Sequence, residues 1–523
     1  MKFNSQYDEF YRYTSGRWIW DEEQQLHDRF RRFNVPELQR VAARSIGARM
    51  CTGITKLAEG SFNKVFRLTM DDGKIVIARI PNPNAGPRYY TTASEVATMD
   101  FVRTILKIPA PEVYAWSAST DDPVGAEYII MEEAAGRQAV DTWDTLELES
   151  KVAIMKELIS IEKKLLSVCL TSYGNIYYKS DAIEGSVAAE VIGDASPQIK
   201  REVSERFTVG PSVERDFWSK ERSEMEIDRG PWNHPLAYIS AIAHRDIAWI
   251  KRYAVPRAAD DPLATSSAQN SPNEHISILE KYLAVAPYLL PADPELANSN
   301  LWHKDLHSRN IFIENDCITS IIDWQSVWAG PLFLQARHPK LVDHRGEVIL
   351  KLPTNFKDLK DGKKAELRRQ VASSIILHLY KLYTAKINPR LNKVYRVEHG
   401  RTRGEAISFA GDTWDDDILP FRESLVRIEK YWDELGTNVP CPIHFPEEEL
   451  RSHSNDAEGW NEVQDFWESI AGLVTRDGWT PSDRYSDAVA LFAELRENGL
   501  KAMKGKERES FEKETHWASK PIE

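Results

Sequence analysis

The run His303-Lys304-Asp305-Leu306-His307-Ser308-Arg309-Asn310, followed eighteen residues after Asp305 by Ile322-Asp323-Trp324, decides the reading of this chain. It places a carboxylate five positions before a carboxamide and a second carboxylate at the end of the apolar run CITSIID. Phosphoryl transfer asks a protein to orient a hydroxyl nucleophile, to hold magnesium between phosphate oxygens, and to offset charge on the transferred group. Asp305 suits the hydroxyl proton. Asn310 and Asp323 are hard oxygen ligands of the kind Mg2+ prefers. A blander account makes Asp305 and Asn310 turn residues and Asp323 a cap, but it leaves unexplained why apolar strands carry Asp at these points. Zinc between His303 and His307 is disfavoured, because an HExxH helix needs Glu where Lys304 stands. His303 is expected to pack beneath the loop.

Upstream, the stretch from Gly53 to Met70, the Asp71-Asp72-Gly73 turn and the apolar KIVIARI run predict strands joined by a glycine loop and a hairpin. Gly60, Ser61 and Phe62 lie in that loop, where a glycine turn lets backbone amides approach phosphates; alone, one glycine fits an ordinary hairpin equally well. Arg79 is a cation on an apolar strand, so it either snorkels outward or points into a site. Glu95 follows sixteen residues later on a helix with Val96, Met99, Val102 and Leu106 near one face. An Arg79–Glu95 ion pair would position the cation over nucleotide phosphates. The competing role for Glu95 is a capping box with Thr92.

The rest of the chain bounds these readings. Its 523 residues allow two to four structural units, and 42% hydrophobic with 10% aromatic residues exclude a disordered or fibrous protein. With 67 Lys plus Arg against 80 Asp plus Glu, the net charge of −13 argues against a general nucleic-acid or anionic-membrane binder. Cys51, Cys169, Cys317 and Cys441 are widely spaced with no CxxC pair, which suits a reduced interior. No window approaches the ~20 apolar residues of a membrane span, and Asp8, Glu9, Asp21, Glu22 and Glu23 read as folded protein rather than a transit peptide. A helix is expected from about Asp21 to Ala48, another from about Ile276 to Leu290, and a third carrying Val371, Ile375, Leu379 and Leu382. The Pro/Ala/Ser/Asp-rich segment 256–275 is expected to be a mobile surface loop. The acidic clusters at 415–417 and 447–449 are expected at solvated helix ends rather than against a cationic substrate.

The order of these motifs resembles the aminoglycoside phosphotransferase family of the protein-kinase-like fold. HKDLHSRNIF is similar to that family's HGDLHxxNIL and IIDW to its IIDW or IIDF, over about residues 50 to 345. Nearly the whole chain, including VIARIPNPNAGP and TTASEVATMDFVR, is similar to fungal members around altered inheritance of mitochondria protein 9. The resemblance implies an α+β bilobal fold with a β-rich N-terminal lobe and a large, mainly helical C-terminal lobe. The expected divisions are an arm (1–50), a small nucleotide-binding lobe (51–136), a large catalytic lobe (137–400) and a helical C-terminal extension (401–523). It further implies ATP and Mg2+ as cofactors, with Asp305 as base and Asn310 and Asp323 as metal ligands. Met131 to Ala134, with Glu132 and Glu133 at the centre, would be the hinge whose backbone bonds adenine.

Three departures stand out: Arg79 replaces the usual Lys, Lys304 replaces a small residue before the presumed base, and the loop holds one glycine. The expected function is an ATP- and Mg2+-dependent kinase acting on a hydroxyl of a small molecule. Only eight residues separate Asp323 from Pro331 and no APE signature follows, so a protein-kinase activation segment is absent. The alternative is a nucleotide-binding pseudokinase or scaffold in mitochondria. Location is expected to be intracellular, mitochondrial by the resemblance, or cytoplasmic if no presequence is missing.

Overall fold

The computed structural model describes residues 6–257, 266–344, 346–411, 413–415 and 418–519. Alternation builds its principal sheet. From Asn63 to Met70, Lys64, Phe66, Leu68 and Met70 are buried and the residues between them half-buried, the period-two signature of a strand with one face on a core. In chain order the sheet comprises β1 (Cys51–Glu59), β2 (Asn63–Met70), β3 (Ile75–Pro81), β4 (Val113–Ser117) and β5 (Tyr128–Glu132), with helix α1 (Tyr90–Asp100) crossing between β3 and β4. All neighbours are antiparallel, in the spatial order β1-β2-β3-β5-β4. Strand β3 is therefore interior, and Arg79 on it pairs in register with Val65 on one side and Ile129 on the other.

The two faces of this sheet meet different partners. Phe66, Leu68, Val76, Ala78, Ile80 and Ile130 pack against Phe33, Val35 and Leu38 of the N-terminal arm. Ile77, Ile129 and Met131 face α1 and join the core of the larger lobe. Helix α1 is thus buried around nearly its whole circumference, Glu95 included. That exceeds the single apolar face read from Val96 and Met99, because the helix lies between two lobes instead of on a surface.

The larger lobe is built on α2 (Leu148–Leu165), α3 (Pro235–Tyr253), α4 (Pro272–Leu289) and α5 (Asp361–Ile387). Between α4 and α5 lies a hairpin of β6 (Ile311–Glu314) and β7 (Cys317–Ile321). Asn315 and Asp316 turn it with φ of 51° and 61°, the left-handed pair that a two-residue hairpin favours. The short strand Arg137–Gln138 pairs with β6 and joins the end of β5 to the hairpin. Gly136 precedes it with φ of 90°, and a Cβ there would lie 2.7 Å from the Ile313 carbonyl oxygen, so only glycine fits. This is the protein-kinase-like bilobal arrangement, a β-rich small lobe and a mainly helical large one.

Three local expectations are corrected, and one pairing is new. The stretch 21–48 forms two helices, Glu22–Asp28 and Val35–Ser45. Asn34 caps the second by accepting from Glu37 N at 3.2 Å, with a proline in its first turn. Of the segment 256–275, residues 258–265 lie outside the described residues, 256 and 257 are exposed, and 266–275 is a packed element rather than a mobile loop. Helix α4 begins at Pro272, capped by Ser271, and Gln269 is hydrogen-bonded to Trp414 O (3.0 Å) and Ile418 N (2.8 Å). On α5 the buried row is Ser374, Ile376, Leu377, Tyr380 and Thr384, and Leu382 is exposed. Finally, strand Gly16–Trp18 pairs with Trp479–Pro481, so the two ends of the chain meet in one short sheet, with Trp20 packed on Trp467, Phe492 and Trp517.

Candidate active site

The loop from His303 to Asn310 braces itself. Asp305 N donates to His303 Nδ1 (3.2 Å), His307 N to Asp305 O (2.9 Å), Asn310 N to His307 O (3.0 Å) and Asn310 Nδ2 to Asp305 O (3.0 Å). With Nδ2 committed to the backbone, the carboxamide oxygen of Asn310 is the end of that side chain left for a ligand. His303 is buried edge-on against Trp324, and its Nε2 lies 3.0 Å from Ile322 O. Accepting at Nδ1 makes Nε2 the protonated nitrogen, so the ring donates to Ile322 O. Burial holds the imidazole below its ordinary pKa, hence neutral. His303 thereby ties the Asp305 loop to the residue before Asp323, the packing role expected of it.

Asp323 follows β7 in the left-handed region, φ 64°, a conformation costly for a non-glycine residue and typical of functional loops. Ile322 N donates to Asn310 O (3.0 Å), which sets the Asp323 and Asn310 segments side by side. Across the cleft, Arg79 forms an ion pair with Glu95, and its Nη1 lies 3.5 Å from Asp323 Oδ1. The Glu95 side chain is buried and engaged by Arg79, so the ion pair prevails over the capping box. Burial lowers the Arg79 pKa to about 10, with Asp323 pulling it up, and the guanidinium stays charged. Asp305, Asn310, Asp323, Arg79 and Glu95 are therefore brought to one place.

The remaining candidates lie on the small lobe. The loop at Gly60, Ser61 and Phe62 leans on the large lobe: Asn63 Nδ2 donates to Gln325 Oε1 (2.6 Å), two residues past Asp323, and the Arg215 guanidinium sits 3.9 Å over the Phe62 ring. The side chains of Glu132 and Glu133 are held by Arg103 (3.1 Å) and Arg67 (2.7 Å). Glu132 N is committed to Glu112 O (2.8 Å). Glu132 N is thus unavailable to a ligand.

Two residues unnoticed in the sequence stand at the centre. Lys340 Nζ is 2.6 Å from Asp305 Oδ1, while His307 Nε2 is 3.3 Å from Oδ2. Partial burial pulls the Asp305 pKa up, but the Lys340 hydrogen bond and the His307 charge outweigh it and hold the carboxyl below its ordinary value. Asn175, fully buried, donates to Ser94 Oγ (3.0 Å) beside Glu95 and to Val327 O (3.2 Å) beyond Asp323, and accepts from Val213 N (3.0 Å). No local motif signals either residue, since each acts across more than thirty positions of sequence.

A subtelomeric hrmA-associated cluster protein of Aspergillus fumigatus is 34% identical over 490 residues, covering 85% of this chain and 92% of that protein. The chain belongs to its family. Altered inheritance of mitochondria protein 9 of Yarrowia lipolytica is a further relative, 27% identical over 524 residues, with 94% of this chain and 87% of that protein covered. Among solved structures, an aminoglycoside phosphotransferase with ADP and hygromycin B is similar at 15% identity and a TM-score of 0.35, covering 77% of this chain and all of the other. No protein-family model matches the chain.

Proposed function

We propose that the protein is an ATP- and Mg2+-dependent phosphotransferase acting on a hydroxyl of a small molecule. The observation that carries this reading is the convergence of Asp305, Asn310 and Asp323 from one loop and one hairpin, opposite an Arg79 held by Glu95. The donor set suits magnesium, which takes one or two carboxylates together with water and phosphate oxygens. Among the described residues no group of three or more His, Cys, Asp or Glu could hold a metal ion. When bound, Mg2+ would offset charge on the phosphate oxygens. Asp323 and Asn310 would hold it.

Arg79, fixed by Glu95, orients phosphate oxygens. The loop amides of Ser61 and Phe62, with Gly60 N committed to Asn63 O (3.0 Å), would cover the phosphates, and the hinge backbone at 131–134 would meet the base. Asp305 receives the acceptor hydroxyl's proton as the oxygen attacks phosphorus and the bond to the bridging oxygen of ADP breaks. The small acceptor accords with the absence of an activation segment. The names of the yeast relatives support a mitochondrial setting. No helix among the described residues is long and apolar enough to cross a membrane.

A pseudokinase reading draws on one observation, the Lys340 ammonium seated on Asp305. Calorimetry with ATP and Mg2+, followed by an ADP-release screen of metabolite extracts against Asp305→Ala as the blank, separates the two. Nucleotide binding without Asp305-dependent turnover favours the pseudokinase. Absence of Mg2+-dependent nucleotide binding rejects both.

A further inference from the structure

Lys340 reaches Asp305 from a built position. Leu341 N donates to Leu306 O (3.1 Å), tying the segment to the residue after Asp305. Val342 N and Asp343 N both bond Pro339 O (3.0 and 3.1 Å), closing a turn, and Leu341 and Val342 are buried beneath it. The Lys340 side chain itself is 60% exposed, so its ammonium faces both Asp305 and the cleft.

With Lys340 on Oδ1 and His307 on Oδ2, any hydroxyl that donates to Asp305 shares an oxygen with one of these two donors. Whatever the acceptor carries next to that hydroxyl then meets a cation. Lys304, on the other side of Asp305 in sequence, is half-exposed, and its nearest carboxylate, Glu214, is 4.0 Å away. Glu214 is itself engaged by the Tyr238 hydroxyl at 3.1 Å, and burial raises its pKa. Of the two acidic clusters, Asp415 pairs with Lys220 at 2.6 Å and Glu449 with Lys281 at 3.2 Å, while residues 416 and 417 lie outside the described residues.

Resting on the phosphotransferase reading above, we propose that the acceptor carries an anionic group, a phosphate or carboxylate, close to its accepting hydroxyl, and that Lys340, with Lys304 flanking, reads this group. A cationic amino sugar would place like charges beside Lys340, a cost paid at the reacting hydroxyl. The anionic member of any pair gains a partner there instead.

The test uses the full chain and begins with calorimetry of Mg2+ and ATP, which decides the phosphotransferase reading by itself. ADP release is then measured with pairs differing by one anionic group, glycerol against glycerol 3-phosphate and ribose against ribose 5-phosphate, with kanamycin as the cationic member. Binding of the same compounds to protein loaded with Mg2+ and AMP-PNP is read in parallel. The anionic member should show a kcat/KM about threefold to fivefold above its neutral partner, or measurable binding where the neutral one has none, as expected for one partly exposed charge contact. Lys340→Met should raise KM for the anionic member and narrow the ratio, and Lys340→Arg should restore it. Equal kcat/KM within pairs, preference for kanamycin, or neither turnover nor binding by any anionic member overturns the proposal while nucleotide binding stands. Failure of nucleotide binding removes the phosphotransferase reading and this one with it.

Discussion

Glu162, at the centre of the large lobe, takes the Tyr380 hydroxyl at 2.9 Å on one carboxyl oxygen and 3.0 Å on the other, and Tyr395 stands 3.0 Å behind Tyr380. Burial lifts the Glu162 pKa to about 8, with the Tyr380 bond pulling the other way. Below the unfolded value of 4.5 the carboxyl is protonated in both states and this group makes no pH-dependent difference. Between 4.5 and about 8 the folded state holds a proton that the unfolded state has lost, so stability falls with rising pH through that window. Glu162→Gln removes the proton while keeping an acceptor for Tyr380. In urea unfolding, the variant should gain on the native protein by roughly 1 kcal/mol or more between pH 5 and 8. Parallel pH curves would show that Glu162 is not held neutral in the fold.

On the proposed phosphotransferase reading Asp305 serves the acceptor and Asp323 the metal, so their removal should separate. Asp305→Ala should lower turnover about a hundredfold or more with little change in ATP affinity, because it touches the acceptor and not the nucleotide. Asp323→Ala should abolish Mg2+-dependent nucleotide binding. Calorimetry with and without Mg2+ reads both; equal loss in the two variants contradicts the division of roles.

Arg79 is anchored from below by Glu95 and reaches Asp323 at 3.5 Å. Lys at this position can keep a single-point contact with Glu95 from the same strand, whereas Ala leaves Glu95 buried without its cation. Arg79→Lys should therefore retain most nucleotide affinity and Arg79→Ala should lose it, with a stability loss of about 3 kcal/mol. Unchanged affinity in Arg79→Ala, measured on folded protein, would make the cation a structural tie only.

What could be read from the sequence follows from distance along it. Asp305, Asn310 and Asp323 were legible because one loop and one hairpin carry them, and the five-residue interval from Asp305 to Asn310 is what lets Asn310 Nδ2 reach back to Asp305 O. Arg79 and Glu95 were legible as a strand cation and a helix anion, but the competing cap could be set aside only once α1 proved buried on both sides. Lys340 was not legible: it lies 35 residues from Asp305, and the Leu341–Leu306 backbone bond with the buried Leu341 and Val342 brings it there. The pairing of Gly16–Trp18 with Trp479–Pro481 is further still from any local signal, because three-residue strands have too few positions to show a period.

Composition alone misled at Gln269. The surrounding Ser, Ala, Asn and Pro residues offer little apolar surface, yet Gln269 works through hydrogen bonds. Its Nε2 donates to Trp414 O at 3.0 Å, its Oε1 accepts from Ile418 N at 2.8 Å, and its backbone carbonyl lies 3.0 Å from His275 Nε2. His275 is itself buried and reaches Thr413 Oγ1 at 3.0 Å, so one short turn fixes the start of α4 and the entry to helix Ile418–Lys430 together. Gln269→Ala would strand the Ile418 amide and the Trp414 carbonyl in partly buried surroundings, at a cost of about 1–3 kcal/mol. Gln269→Glu keeps the acceptor for Ile418 N but sets a carboxylate oxygen against the Trp414 carbonyl, and should cost as much or more. Urea unfolding of the two variants at neutral pH checks this. A change in either variant below about 0.5 kcal/mol, the range of ordinary surface substitutions, would return the turn to the class of dispensable loops.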